Sequence, residues 1–538
     1  MRKQPASIFN EVFGPVMTGP SSSHTAGPAR IGMMVHRLVS EPVSRIEITF
    51  DRRGSFAAQY RAQGSDFGFV GGLLGIDIAD EQIKRSLIMA KERGIEVDFR
   101  IEELDPRLHP NFARISVETD HGTNLVVEAE STGGGMFALT RYDDIPLTLR
   151  GDYYELLVLT SALPPDPEDT DFGTVRALLD DAEVRYHLSS HHADSGMRGL
   201  INVKFDRPVP EELREKIGAV ADATRVVYVE PILPVVKQIG TSVPFFNATE
   251  ATEYARKNHR SLWELAVDYE TTLSGKSRDE VIAMMAEIAE IMRDSAAKGI
   301  AGNYPQRGFL PPKSGEMDRN FRTGTKPSVD TGVLNKAAIW ATAVMEYDIC
   351  MGRVVAAPTG GSSGVLPGAV VAVGEEMGKT NEEIARALLV GGLIGVFVDH
   401  QATFAAEIAA CQAENGAAGS MAAAAVVQLL GGTVEEGFAA ASLALQNMLG
   451  LICDPVAGTG NVPCVGRNAA AATNAVISAN MVSWGFNPAI PLDEVIETML
   501  KVGQMMPSEL RCTGTGGLCT TCTAQMITKN LDLTPVLE

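Results

Sequence analysis

Met421-Ala-Ala-Ala-Ala-Val-Val-Gln-Leu-Leu430 lies inside an 80-residue stretch, 401–480, that holds 23 alanines and only six charged residues. Those six are Glu407, Glu414, Glu435, Glu436, Asp454 and Arg467. Helices that are apolar all round are buried helices, and small side chains let their backbones approach closely. The stretch therefore predicts a dry, mostly α-helical C-terminal domain over 255–538. Amphipathic spacing from Ser261 to Val267 and from Asp279 to Lys298 adds helices at its start, with Ser277 as an N-cap. A water-poor casing of this kind suits a reactive group that must be shielded from solvent.

Towards the N-terminus the texture changes. Residues 152–240 read in sequence as a strand (Tyr153–Thr160), a helix (Asp171–Ala182), two strands (Glu183–Ser190 and Arg198–Phe205), a helix (Pro210–Ala223) and a strand (Arg225–Ile232). That order is βαββαβ, the ferredoxin-like plan. It resembles the small ACT domains that bind regulatory amino acids in metabolic enzymes, although the loop Leu163–Asp171 is acidic and proline-rich. A spacer or dimerisation role stays open. Residues 1–148 mix short strands (45–50, 112–117, 124–128) with helical stretches near 25–38 and 79–94, an α/β or α+β module.

At 538 residues, and at about 150 residues per domain, two to four domains are expected. The composition, 45% apolar and 21% charged, is that of soluble globular proteins. Forty-six Lys+Arg against 67 Asp+Glu give a net charge of −21, which argues against a nucleic-acid partner. Aromatic residues, at 6%, are too few for a stacking platform. Seven cysteines suit a reducing cytosol. The best apolar run, Ala387 to Val398, is 12 residues long, short of the ~18–20 that a membrane span needs. Asn10, Glu11 and Pro15 interrupt any secretory signal. The expectation is a cytoplasmic protein with no membrane partner.

Four groups of residues can carry chemistry. Cys411, Cys453 and Cys464 all fall in the low-charge stretch, and the last two flank a Pro/Gly-punctuated loop. Three soft thiolates suit an iron–sulfur cluster; buried cysteines acting as small apolar residues are the alternative. The run Gly19-Pro-Ser-Ser-Ser-His-Thr-Ala-Gly27 offers four hydroxyls and an imidazole, suited to gripping a carboxylate and moving a proton. It also reads as a capped helix start, with Ser23 or Thr25 as the N-cap. Pro358-Thr-Gly-Gly-Ser-Ser-Gly364 contains the G-x-S-x-G of a nucleophile elbow, but its acid and base partners are thin, and a backbone anion nest explains it equally well. The tail run Cys512-Thr-Gly-Thr-Gly-Gly-Leu-Cys519-Thr-Thr-Cys522 holds a lone C-x-x-C, a weak sign of redox or zinc chemistry.

Taken together, these runs resemble the bacterial iron–sulfur-dependent L-serine dehydratases, in a form with β and α portions fused. Gly19 to Pro28, Gly54-Ser-Phe56, Leu108-His-Pro-Asn111 and Gly133-Gly-Gly135 follow the order of the β portion. Ala357 to Pro367, Cys411-Gln-Ala-Glu414, Cys453-Asp-Pro-Val456 and Pro463-Cys-Val-Gly-Arg-Asn468 follow that of the α portion. The resemblance implies a 4Fe–4S enzyme, independent of pyridoxal phosphate and sensitive to oxygen, that converts L-serine to pyruvate and ammonia. By it, Cys411, Cys453 and Cys464 are the cluster ligands, with Cys519 as a candidate fourth. His24 is the candidate acid–base group. Ser21, Ser22, Ser23, Thr25, Thr359, Gly360, Gly361, Ser362, Ser363 and Asn468 form the candidate substrate-binding set. A homodimer acting on a small amino acid is the expected assembly.

Two departures qualify the resemblance. Gln63 stands where many relatives carry a histidine, so any proton-transfer role there is lost or moved. The chain ends Leu533-Thr-Pro-Val-Leu-Glu538, where some relatives end in a cysteine that caps the open iron. Rival readings are a lyase for another β-substituted amino acid, such as an L-cysteine desulfidase, and a non-catalytic cluster-bearing amino-acid sensor. A pyridoxal enzyme is the third.

Overall fold

A computed structural model describes residues 4–39, 41–105, 107–161, 172–196, 198–221 and 223–531. The acidic loop 163–171 and the segment 533–538 both lie outside the described residues.

The N-terminal region is a six-stranded sheet of β2 (Val43–Asp51), β3 (Glu96–Glu102), β4 (Phe112–Thr119), β5 (Asn124–Gly133), β6 (Met136–Tyr142) and β7 (Ile145–Leu149). Its order is β3-β2-β4-β5-β6-β7, with β2 and β3 parallel and the other pairs antiparallel. Period-two alternation sends Ile46, Ile48 and Phe50 of β2 and Ala113, Ile115 and Val117 of β4 into one core. Helix Gly27–Val39 lies over that core. Its neighbour Ser65–Leu73 packs against it so closely that a Cβ on Gly72 would lie 2.0 Å from the Ala29 carbonyl oxygen. This contact fixes the start of Gly27–Val39, where the serine-rich turn sits.

The middle unit has the element order β8 (Tyr154–Thr160), helix Phe172–Asp181, β9 (Tyr186–His192), β10 (Gly199–Phe205), helix Glu211–Val220 and β11 (Ala223–Val229). Its strands run β11-β8-β10-β9, every pair antiparallel. Strand β9 begins three residues later than its expected start at Glu183, because Glu183 takes a left-handed conformation, φ 51°, after the preceding helix. Both faces of β8 are covered. Leu156 and Val158 pack into the unit's own core, while Leu157 and Leu159 join the core of the N-terminal sheet. That is why Leu156-Leu-Val-Leu159 is continuously apolar.

The C-terminal body is helical. Its framework includes Leu262–Ser274, Arg278–Ala301, Val333–Ile349, Asn381–Gln401, Ala417–Leu430, Val434–Gln446, Cys464–Ser483 and Leu492–Met505. Ser277 caps Arg278–Ala301 in a reciprocal capping box with Glu280. The alanine-rich helix Ala417–Leu430 packs against Asn381–Gln401, Val434–Gln446 and Cys464–Ser483. Ala422 to Ala425 have no exposed surface. The apolar run Ala387–Val398 is likewise a fully buried helix segment, and among the described residues no helix is long and apolar enough to cross a membrane.

The N-terminal arm crosses into this body. Ile8, Phe9, Val12 and Phe13 lie in its core, and Ser7 Oγ donates to Glu270 Oε1 at 2.6 Å. Strand β1 (Val16–Thr18) pairs antiparallel with β12 (Arg353–Val355). The serine-rich turn, which follows β1, is thereby carried to the face of the helical body.

Candidate active site

The turn Ser22–Ala26 is wound as a π-helix and runs directly into helix Gly27–Val39. Its N-cap is Ser21, whose Oγ accepts from the His24 amide at 3.1 Å, rather than Ser23 or Thr25. The extra turn of winding moves the cap towards the N-terminus and frees Ser23 for longer-range contacts. Ser23 Oγ lies 2.9 Å from His24 Nδ1 and donates to Glu407 Oε1 at 3.2 Å. His24 Nε2 lies 3.0 Å from Ser55 Oγ. One consistent assignment has Nδ1–H donating to Ser23 and Nε2 accepting from Ser55. Asn111 Nδ2 donates to the same Glu407 oxygen at 3.1 Å, while Glu407 Oε2 is buried with no hydrogen-bond partner.

Burial pushes the His24 imidazole below its ordinary value, against the pull of Glu407. Burial also works to raise Glu407, but His24 and the Asn111 amide outweigh it and hold the carboxyl low. We take the neutral imidazole beside an ionised Glu407 as the resting form, since desolvation is the leading cause acting on His24.

The cysteines come from four separate places. Cys411 opens the π-wound turn Gln412–Gly416 ahead of helix Ala417–Leu430, and Cys464 is the first residue of helix Cys464–Ser483. Cys453 sits in the loop between helices. Cys512 belongs to the tail, which runs parallel to that loop: Cys453 N–H donates to Leu510 O at 2.8 Å, and Cys512 N–H donates to Cys453 O at 3.0 Å. Cys411, Cys453 and Cys512 form one buried cluster. Cys411 Sγ, Cys453 Sγ and a Glu414 oxygen lie within 4.8 Å of one another. Arg467 adds positive charge, with Nη1 3.6 Å from Cys411 Sγ and Nη2 2.9 Å from Asp454 Oδ1. The hydrogen bond from Cys453, helped by Arg467, holds the Cys411 thiol below its ordinary value despite burial.

Hydroxyls and thiols face one cavity of roughly 60 Å³, lined in part by Ser21, Ser23, Gln63, Glu407, Glu414, Cys453, Cys464 and Cys512. The donor chemistry, buried thiols with a carboxylate and a guanidinium close by, fits a soft metal or an iron–sulfur group.

Not every sequence-predicted residue reaches this cavity. Among the described residues His24 does not line it; the imidazole has no exposed surface and lies one layer behind Ser23. Ser22 Oγ accepts from the Gly360 amide at 3.0 Å, and Thr25 Oγ1 donates to Gln63 O at 2.6 Å. In the second serine-rich turn only Gly361 reaches the wall. Thr359 Oγ1 donates to Glu414 Oε1 at 2.9 Å and pairs with Ser362 Oγ, while Ser363 Oγ points at Met345 Sδ. Among the described residues no histidine partners Ser362, whose hydroxyl bonds within its own turn, so the nucleophile-elbow reading falls. Asn468 is fully buried and ties this turn to the helix start, donating to Gly361 O at 2.8 Å and Cys464 O at 2.9 Å. The Cys519 thiol points away from the cavity and donates to Pro455 O at 3.2 Å. Cys512 is the tail thiol that reaches the other cysteines.

The serine dehydratase alpha chain family matches residues 257–519. A probable L-serine dehydratase alpha chain of Bacillus subtilis is 37% identical over 287 residues, covering 53% of this chain and 95% of its own length. The chain belongs to the L-serine dehydratase family. The probable L-serine dehydratase beta chain of the same organism is 33% identical over 220 residues, 41% of this chain and 96% of its own. L-serine dehydratase 2 of Escherichia coli is 29% identical over 401 residues, 70% of this chain and 88% of its own. Both portions are thus present in one chain.

Family motifs read from the sequence supplied more than their order. Gly54-Ser-Phe56 contributes Ser55 to His24, and Leu108-His-Pro-Asn111 contributes Asn111 to Glu407. Glu407 itself was missed, although it is one of only six charges in the alanine-rich stretch. An isolated carboxylate in a dry segment is the signal that would have found it.

Proposed function

We propose that the chain dehydrates L-serine to pyruvate and ammonia at this cavity, with a 4Fe–4S cluster held by Cys411, Cys453 and Cys464 and a fourth thiol available from Cys512. The observation that carries the reading is the convergence of the Ser21–Ser23 turn, Glu407, Glu414 and Cys453, Cys464 and Cys512 on one small cavity. A bound cluster with an iron free of these three thiolates supplies a Lewis acid for departure of the β-hydroxyl.

The protein's own groups do the rest. Glu407 Oε2, without a partner, is the acceptor for the serine α-proton. Ser23 and His24 lie behind it and orient the carboxylate through the Ser23 hydrogen bond, and Ser55 and Asn111 hold the imidazole and the carboxylate in register. Loss of the α-proton and the hydroxide leaves aminoacrylate. Its tautomer, an imine, adds water and releases ammonia to give pyruvate, so the atoms of serine are accounted for. Ser21 and Ser23 offer hydroxyls to the substrate. Thr359, Ser362, Ser363 and Asn468 shape the wall without facing it. The middle unit is read as an ACT-like domain, a reading supported by its βαββαβ order and antiparallel four-stranded sheet.

The test is an anaerobic assay of the iron-loaded protein with L-serine and, separately, L-cysteine. Equal amounts of pyruvate and ammonia from serine are expected. An iron-loaded protein that forms no pyruvate from serine overturns the reading. Faster sulfide release from cysteine than ammonia release from serine reassigns the substrate.

A further inference from the structure

We infer that Arg307 is the residue that binds the substrate carboxylate, and that the cavity therefore selects small monocarboxylic acids; the inference rests on the reaction proposed above only for the identity of the acid. Arg307 lies in the irregular segment between helices Arg278–Ala301 and Ser314–Thr323 and lines the same cavity as Ser21, Glu407 and Cys464. Its Nη2 is occupied, donating to the Arg61 and Ala62 carbonyls at 2.9 and 3.3 Å. Its guanidinium carbon lies 5.8 Å from the centre of the Phe67 ring. Nη1 is buried and has no hydrogen-bond partner.

No carboxylate lies within ion-pairing distance of Arg307 among the described residues. A guanidinium withdrawn from water with a donor left empty is costly, and an incoming anion relieves that cost. Arginine presents paired N–H donors that match a carboxylate, which makes it the natural complement. The serine-rich turn expected to hold this carboxylate is less suitable, because the hydroxyls of Thr359 and Ser362 and the amide of Gly360 are spent on internal bonds. The Glu407 carboxylate, held low, lines the same cavity, so a zwitterion finds both of its charges matched.

Arg307 is also held firmly for a residue outside any helix or strand. Its amide donates to Cys350 Sγ at 3.3 Å, and Phe309 N–H donates to Asn461 Oδ1 at 3.0 Å. Between them Gly308 has φ 88°, and a Cβ there would lie 2.1 Å from Asn461 Oδ1. The segment is thus anchored to the loop that ends at Cys464, while the guanidinium reaches across to the N-terminal portion.

The test uses the iron-loaded enzyme and two variants, Arg307→Ala and Arg307→Gln, the second keeping a donor for the Arg61 and Ala62 carbonyls. Iron content is measured on each. Loss of a charge-assisted hydrogen bond predicts a rise of about 10- to 100-fold in KM for L-serine, with kcat changed less and iron content unchanged. Calorimetric titration supplies a readout independent of turnover: wild type should bind L-serine and lactate more tightly than L-serine methyl ester, and both variants should lose that preference. If both variants keep the wild-type KM and the preference for acid over ester, the inference falls while the reaction reading stands. If wild type forms no pyruvate but binds monocarboxylates in an Arg307-dependent way, the inference stands and the reaction reading falls.

Discussion

The two walls of the cavity are built in opposite ways. The hydroxyl wall is local: Ser21 and Ser23 face the cavity from one π-wound turn, with His24 a layer behind, and hydrogen bonds across one to three residues tie the three together. The thiol wall is assembled at long range: Cys453, Cys464 and Cys512 line the cavity and Cys411 is buried against Cys453, the four drawn from two helix starts, a loop and the tail. A local turn keeps its geometry if one side chain is trimmed, whereas a convergent set loses its purpose with any member. On the proposed reading the walls also divide the chemistry, protons on one side and metal on the other, so they should fail separately.

The largest expected effect is on the thiol wall. Cys453→Ser should lose iron and activity together, because a hydroxyl does not replace a soft thiolate; iron analysis and the pyruvate assay check it, and full iron content would remove Cys453 from the ligand set. Behind the hydroxyl wall, His24→Ala should lower kcat by roughly 100-fold and leave the iron in place. Loss of iron in that variant would erase the division between the walls.

The tail sharpens the comparison further. Cys512→Ala should shorten the lifetime of the cluster in air, followed by the decay of its visible absorbance, while Cys519→Ala leaves that lifetime unchanged. The reverse ranking would mean that the tail shifts once metal is bound.

The smallest effect lies in the middle unit, away from both walls. Burial raises the Glu155 carboxyl to about 7, with Lys204 and Asn202 only partly opposing it. The unfolded chain gives up this proton near 4.5 and the folded chain near 7, so stability from this group falls as pH rises through that window. Glu155→Gln should flatten the dependence of Tm on pH there and leave serine turnover unchanged; an unaltered slope would count against a buried, protonated Glu155.

Legibility in the sequence followed the same division between local and distant. The middle unit was readable because strand and helix periods alternate cleanly over 153–232, and buried Ala417–Leu430 declared itself by its lack of charge. Strands β6 and β7 were missed: β7 is five residues with Pro146 inside, which fits only an edge strand. Turn-level details such as the Ser21 cap escaped because a π-wound start leaves no periodic trace. The cysteines proposed as cluster ligands stood out by residue type, but which tail thiol lies beside them depends on the bridge between Cys453 and Arg511, a tertiary contact without a local signal. Arg307 lies in a segment with no period at all.

The most direct measurement is a titration of activity against iron. Apo-protein is reconstituted anaerobically with iron and sulfide in steps, and at each step bound iron, acid-labile sulfide and the rate of pyruvate formation from L-serine are determined. The expected result is a rate that rises in proportion to bound iron and levels off near four irons and four sulfides per chain, the content of one 4Fe–4S cluster. Full serine turnover by the iron-free protein would contradict a metal-dependent dehydratase, as would a fully loaded protein that forms no pyruvate.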